Sequence, residues 1–567
     1  MLDAIVRVNM KTLSTRLDKL PDAYQYLAGR ALSSQFLSDE VPAFCEPLGP
    51  NNKLVITCGL LAGTTTSCAN RLSIGAKSPL TGGIKESNAG GIAAYKMGRM
   101  GIRAIIVEDI REDDQWYILH ISKETTTLQS ANHLHNKGLT EKASLLYQEY
   151  GKKVGIILLG PAGEKRLLTA GIANNDTDGV PSRFSGRGGL GAVMGAKHLL
   201  GIVLDDGTSE TPQAQDRQQF AEKVREFHKM LLSSPQTAEF FPKYGTAGMM
   251  EVTNALGGLP TRNFQTGSFA GAEKINGDAL YQTITARGGE GTPTHSCMPG
   301  CLVRCSNIFA DKNGRKVVTP LEYETLTLLG SNLQIDDLDF IAELNYLCND
   351  YGVDTIEIGC AIGVAMEAGV LKFGDQAAIR DIMRQVIADT YLGKIIASGC
   401  VVTGKVFGVR RIPAVKGQGM AAYEPRAIKG TGVTYATSAM GADHTAGNVT
   451  RANLRHDSKD QQVPASRNAQ IGVSLIDMLG FCIMIAPGLK TRDILVEMIN
   501  AYHGWNLSLQ DLEQIARQNL NRELEFNRQA GFNKVHDRLP EHFYEETNPA
   551  TNSVFDINED DLAEMSF

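Results

Sequence analysis

Three cysteines crowd into nine residues at Cys297-Met-Pro-Gly-Cys301-Leu-Val-Arg-Cys305, while the other seven of the chain's ten are scattered. Pro299 and Gly300 prevent a regular helix at the start of this run and leave a loop able to wrap one inorganic cluster. Crowded cysteines in a large chain point to metal binding rather than a disulfide framework. Thiolates are the normal ligands of iron–sulfur clusters, and a cysteine distant in sequence commonly completes the set. Cys482, in Asp477-Met-Leu-Gly480-Phe-Cys482, is the candidate. A structural zinc site competes, but zinc cysteines favour paired short spacings, and no second close pair follows. A radical enzyme using S-adenosylmethionine would space its cysteines by three and then two residues, whereas both gaps here are three. Iron–sulfur ligation is favoured and zinc stays open.

A chain of 567 residues is too long for one ordinary core and implies two to four domains. Its 21% charged and 43% hydrophobic residues are those of a soluble globular protein. The net charge of −7 and the lack of any Lys/Arg-dense run exclude a nucleic-acid groove. The N-terminal stretch lacks a small-residue cleavage site and no window approaches a membrane span, so a cytoplasmic protein is expected.

Short apolar runs such as Leu54–Ile56, Ile105–Val107, Trp116–Ile121, Ile156–Leu159 and Ile202–Leu204 read as strands. Helical spacing begins with Phe220, Val224, Phe227 and Leu231 and returns over 336–351, 376–398, 491–502 and 508–529, the last opened by a capping-box-like Ser508 and Asp511. The expected class is α+β: a β-rich domain over 1–208, then mainly helical domains over 209–400 and 401–567. No internal repeat of fixed period is visible, and the acidic stretch 552–567 reads as a surface tail.

Gly186-Arg-Gly188-Gly-Leu-Gly191 matches the dinucleotide fingerprint, with Asp205 near the ribose-acid distance. The polar, Pro181-containing segment before it lacks the buried strand that fingerprint must follow, so a dinucleotide fold is rejected. What remains is a run of backbone N–H groups beside Arg183 and Arg187, suited to an anion. Upstream, Arg71 precedes Ser78-Pro-Leu-Thr-Gly-Gly and Asn88-Ala-Gly90-Gly91. Two such loops together imply one large anionic ligand.

In order along the chain, these segments resemble the aldehyde ferredoxin oxidoreductase family. Gly59-Leu-Leu-Ala-Gly63, Arg71, Lys77 to Gly82 and Asn88 to Gly91 look like its first pterin-binding stretch, and Arg183-Phe-Ser185-Gly186-Arg187-Gly188 onward to Lys197 like its second. Asn349-Asp-Tyr-Gly352-Val-Asp354 and Asp477-Met-Leu-Gly480-Phe-Cys482 resemble the paired motifs that hold the two pterins and supply the last cluster cysteine. The resemblance places the active-site acid in Pro320-Leu-Glu322-Tyr-Glu324, with Glu324 favoured over Glu322, and the histidine at His444. It also sets Tyr423 near the metal, and Asp537-Arg-Leu-Pro540 fits as well. Three departures stand out. The cysteine loop has three residues where the family usually has two between its first cysteines, Met440 stands where arginine is frequent, and no acid–histidine pair suits a dimer-bridging iron.

The resemblance implies tungsten or molybdenum on two pterins whose phosphates share a magnesium ion, and a 4Fe–4S cluster on Cys297, Cys301, Cys305 and Cys482. The implied reaction oxidises aldehydes to carboxylic acids and hands electrons to ferredoxin or a small ferredoxin-like subunit, with a homodimer left open. Two rival readings are the same fold working reductively on a coenzyme A thioester, and a non-catalytic iron–sulfur or zinc protein.

Overall fold

The computed structural model describes residues 3–567 except 208, 210, 486 and 487. The apolar runs before residue 206 form twelve strands: β1 (Ala4–Asn9), β2 (Ser14–Lys19), β3 (Leu54–Cys58), β4 (Leu72–Lys77), β5 (Ile84–Ala89), β6 (Ile102–Glu108), β7 (Tyr117–Ser122), β8 (Thr126–Ser130), β9 (Gly155–Leu159), β10 (Ile172–Asn174), β11 (Arg183–Ser185) and β12 (Leu199–Asp205). They make two six-stranded sheets, ordered β2-β1-β6-β3-β4-β5 and β11-β10-β9-β12-β7-β8. Each strand of the first sheet corresponds to the strand six places later in the second. In both, the first strand runs parallel to the sixth and every other pair is antiparallel. The helices match too: Gly29–Glu40 and Leu139–Tyr150 follow the hairpins, and Ala93–Arg99 and Leu190–Ala196 precede the last strands. The N-terminal region is therefore a structural duplication, which the absence of a fixed sequence period had concealed. Cores accept wide hydrophobic replacement when pattern and volume persist, so topology survives where residue identity does not.

The rest of the chain is mainly helical, as its spacing predicts. The helix Leu509–Gln529 carries the expected capping box, with Ser508 and Asp511 each bonded to the other's backbone. Two expectations are corrected. The periodic stretch 376–398 is two helices, Gln376–Ile387 and Tyr391–Ala397, separated at Asp389, whose φ of +59° interrupts the coil, and restarted by Thr390 capping Gly393 N–H. The acidic end is not a loose tail: Phe555 and Ile557 are fully buried, and Lys429 pairs with Asp556 at 2.7 Å. Among the described residues no helix is long and apolar enough to cross a membrane.

Two glycines join the helical part to the duplicated sheets. Gly352 ends the helix Leu338–Tyr351 and Gly480 ends Gln462–Leu479, both in the left-handed conformation at φ +87° and +75°. A Cβ on Gly480 would lie 2.3 Å from Cα of Gly59, which follows β3, and one on Gly352 would lie 3.0 Å from Cα of Gly160, which follows β9. The backbone bonds around them correspond: Arg71 N–H donates to Gly480 O (3.1 Å) and Gly171 N–H to Gly352 O (3.0 Å). Cys482 N–H likewise donates to Cys68 O (2.9 Å) and Asp354 N–H to Thr169 O (2.9 Å). The pseudo-twofold relation of the sheets thus extends to both helix ends.

Gly408 is another left-handed helix cap, at φ +68°, with nothing within 4 Å of its Cβ position. Gly408→Ala therefore costs only the left-handed backbone penalty of about 1–2 kcal/mol. Gly480→Ala carries that penalty and also displaces the Gly59 backbone, so its unfolding midpoint should fall distinctly further in denaturation of the two purified variants. Equal shifts would contradict the close approach.

Candidate functional site

The glycine-rich loops and the helix end capped by Gly352 enclose a cavity of about 230 Å³, lined among others by Arg71, Asn88, Gly90, Arg183, Gly186, Glu322, Asn349 and Asp354. Asn88 ends on β5 and runs into Gly90 and Gly91; Arg183 and Ser185 form the equivalent strand β11, which runs into Gly186, Arg187 and Gly188. Gly91, at φ +110°, admits no side chain, since its Cβ would sit 1.7 Å from Asn174 Oδ1. Arg71 Nε donates to Asn88 Oδ1 (2.8 Å). The buried Arg183 Nε and Ser185 Oγ have no protein partner. Unmet donors in such a place are what an anionic ligand satisfies.

The strand-turn-helix context judged missing here does exist, because β11 precedes Gly186 and the helix Leu190–Ala196 follows. The dinucleotide reading still fails, for another reason. β11 is an edge strand antiparallel to β10, with β10 and β9 between it and β12, so no parallel βαβ unit forms.

Each helix end delivers one residue two positions past its glycine. Asp354 caps the helix Thr355–Glu367 by accepting from Ile356 N–H and Glu357 N–H, and its carboxylate lies 3.5 Å from Arg187 Nε. Burial pushes its carboxyl up to about 6. Asp477, which accepts from Asn88 Nδ2 (3.2 Å) and lies 3.4 Å from Arg30, is pushed up to about 8 by burial and by Glu86. Asn349 lies in the last helical turn before Gly352.

Cys297, Cys301 and Cys305 occupy the loop between β13 (Thr292–His295) and β14 (Ser306–Ala310). Cys297, Cys301 and Cys482 are buried and Cys305 half-buried. The loop touches the first glycine-rich segment: a Cβ on Gly90 would lie 2.9 Å from Cys297 Sγ. A hydrogen bond donated to Cys301 and burial hold the Cys297 thiol well above its ordinary range, and burial with nearby Cys482 does the same for Cys305. A bound cation reverses that preference by taking the thiolate form. No three His, Cys, Asp or Glu side chains among the described residues converge on a single ion, so the donor set is a spread group of thiols. A fifth thiol, Cys68, is fully buried with Sγ 3.7 Å from Cys301 Sγ. Nothing in its sequence surroundings marked it.

Glu324 and Glu322 separate in space. Glu324 Oε1 lies 3.1 Å from His444 Nε2, its Oε2 accepts Ala422 N–H (2.8 Å), and the Tyr423 ring stands 5.6 Å from the imidazole. Glu322 instead accepts from Thr246 Oγ1 and faces the cavity, with burial raising its carboxyl. Sequence reasoning missed Lys85 and Asp443. Asp443 is ion-paired with Lys85, 3.6 Å from Arg187 Nη1 and 3.8 Å from His444 Nδ1. Burial opposes its charge, yet Lys85 and Arg187 hold it well below the usual carboxylate range. Met440, at the position where arginine is frequent, is fully buried.

A cavity with unmet hydrogen-bond donors abutting a group of thiols, with an acid–histidine pair beside them, is the arrangement of a protein that holds an anionic cofactor. Comparison with known proteins gives the family. Residues 5–206 match the profile described as aldehyde ferredoxin oxidoreductase, N-terminal domain, and residues 222–566 match the one described as aldehyde ferredoxin oxidoreductase, domains 2 and 3. The chain belongs to the aldehyde ferredoxin oxidoreductase family. It is 32% identical to the tungsten-containing aldehyde ferredoxin oxidoreductase of Thermococcus kodakarensis, over 96% of this chain and 91% of that one. Identity to the WOR-like subunit of an aliphatic sulfonate oxidoreductase from Pyrococcus furiosus is 24%, over 89% and 81% of the two chains. Among solved structures, the active-site complex BamBC of benzoyl coenzyme A reductase superposes with a TM-score of 0.81 at 19% identity, covering 99% of this chain and 93% of that one, a likeness of fold.

Between the ordinary carboxylate range and about pH 8, the folded protein keeps a proton on Asp477 that the unfolded chain has lost, so rising pH removes stability across that window. Thermal melts of cofactor-free Asp477→Asn and parent protein should show the variant gaining relative stability as pH rises, with a plateau above about pH 8. A difference that is flat with pH would contradict the burial of this carboxyl.

Proposed function

We propose that this chain oxidises aldehydes to carboxylic acids at a tungsten (or molybdenum) bis-pterin centre and passes the electrons through a 4Fe–4S cluster to ferredoxin or a small ferredoxin-like subunit. In this reading Arg71, Asn88, Gly90 and Gly91, with Asp477 and Gly480, hold one pterin. Arg183, Ser185, Gly186, Arg187 and Gly188, with Asn349, Gly352 and Asp354, would hold the other, with magnesium as the counter-ion of the cofactor's phosphates. Cys297, Cys301, Cys305 and Cys482 hold the cluster. The observation that supports the reading is the contact of the thiol loop with the first glycine-rich loop at Cys297 and Gly90, since groups held by the two loops would lie side by side. A cytoplasmic location and a homodimer belong to the same proposal.

When bound, the metal–pterin centre supplies Lewis-acid and two-electron chemistry. The chain's own groups handle the substrate and the proton. Glu324, held toward His444 by its bond from Ala422 N–H, takes the proton of water or hydrated aldehyde at Oε1. His444 donates from Nε2 to the carbonyl oxygen, a role that requires the proton on that nitrogen when substrate is present. Asp443, kept ionised by Lys85 and Arg187, stands 3.8 Å from the other ring nitrogen, Nδ1. Tyr423 packs beside the imidazole and bounds the space open to an aldehyde.

Removing a positioned general base costs about 10²–10⁴ in rate. Glu324→Gln should therefore lower kcat for dye-linked aldehyde oxidation by at least about 100-fold while the tungsten and iron contents stay at parental levels. A larger loss in Glu322→Gln than in Glu324→Gln would transfer the role to Glu322. The likeness to a coenzyme A thioester reductase supports a reductive alternative on the same fold. Turnover of an aromatic thioester with reduced viologen, with no oxidation of any aldehyde, would favour it.

A further inference from the structure

Four thiolates complete a 4Fe–4S cluster, one to each iron. This pocket holds five thiols. Cys297 hydrogen-bonds Cys301 and reaches toward the glycine-rich loop at Gly90, and Cys482 follows the glycine cap, whereas Cys68 meets Cys301 from a distant part of the sequence, with the two Sγ atoms 3.7 Å apart. Two thiolates on one tetrahedral metal, at bonds of about 2.3 Å, are separated by about 3.8 Å. Thiolates on different irons of a cluster stand much farther apart. The Cys68–Cys301 contact is a thiol–thiol hydrogen bond whose spacing also suits two ligands of one metal.

The surroundings keep Cys68 in place. Its carbonyl accepts Cys482 N–H (2.9 Å), so one backbone bond ties the fifth thiol to the cysteine that closes the set. Ser67 Oγ accepts Leu302 N–H (3.0 Å) from the cysteine loop and lies 3.3 Å from Cys68 Sγ. The residue is fully buried and adopts the left-handed conformation at φ +62°, which is uncommon for a residue other than glycine.

We propose that Cys68 is a reserve ligand for the iron bound by Cys301, able to take over that corner of the cluster. The inference rests on the cluster reading above and adds a metal-ligating residue to it. The exchange is one for one: the iron–sulfur bond to Cys301 breaks as the bond to Cys68 forms, the proton leaving Cys68 Sγ passes to Cys301 Sγ, and no electron moves. An iron with two available thiolates leaves the cluster more slowly when one bond is lost.

The test uses anaerobically purified holoenzyme and reads iron and acid-labile sulfide per chain, with the electron paramagnetic resonance of the dithionite-reduced protein. Cys301→Ala should keep its cluster with a changed spectrum, whereas Cys305→Ala and the double variant Cys68→Ala with Cys301→Ala should lose it. Loss in Cys301→Ala as complete as in Cys305→Ala overturns the proposal. Should Cys301→Ala fail to fold, Cys68→Ala decides, because it keeps all four other thiols. It should release iron to a chelator about tenfold faster than the parent. Equal release rates overturn the proposal. Parent protein that contains no iron at all overturns the cluster reading instead, so the two failures are distinguishable.

Discussion

The contacts of Gly59 with Gly480 and of Gly160 with Gly352 are the constraint on which the site depends. Only bare backbone lets a helix C-terminus come that close to a strand end, and only glycine meets the left-handed cap at no steric cost. Each contact fixes the residue two positions beyond the cap: Asp354 at the cavity and Cys482 beside Cys68, whose carbonyl accepts its N–H. The frame is duplicated, but its deliveries differ: a carboxylate, Asp354, on one side and a thiol, Cys482, on the other. That single difference turns a pseudo-symmetric cradle into one with a thiol on one side.

Buried charge surrounds this cradle and is compensated unevenly. Arg30 is satisfied by Glu523 at 2.7 Å and reaches Asp477 at 3.4 Å, while Asp443 is held between Lys85 and Arg187. Breaking a buried pair strands a charge at a cost of several kcal/mol, so these networks lock the helical part onto the sheets. They also set function apart from structure. Asp443 is held in its ionised form beside His444, whereas burial pushes Asp354, at the cavity, and Asp477, behind Asn88, toward protonation.

The sequence made visible whatever depends on residue type at short spacing. The Cys297–Cys305 loop, the glycine-arginine runs and the paired Asn349–Asp354 and Asp477–Cys482 motifs were all legible, as was the change from β-rich to helical patterning near residue 208. Through-space relations were not. The duplication of the sheets leaves no period because its copies share topology and not identity. Cys68 joins the thiols from more than two hundred residues away, and Lys85 meets Asp443 across 358 positions. Glu322 and Glu324 sit two residues apart in sequence, and only geometry assigns the histidine to Glu324. The buried C-terminal Phe555 and Ile557 were hidden by the acidic residues around them.

The central claim is that one cavity and one thiol loop, joined at Gly90 and Cys297, hold two cofactors side by side. Anomalous diffraction from crystals of anaerobically purified protein, recorded at the tungsten and iron absorption edges, tests it most directly. The account predicts one tungsten (or molybdenum) peak in the cavity between the Asn88–Gly91 and Gly186–Gly188 segments, and an iron peak within bonding distance of Cys305 and Cys482. A lone zinc peak at the cysteine loop, with no heavy metal in the cavity, would contradict it.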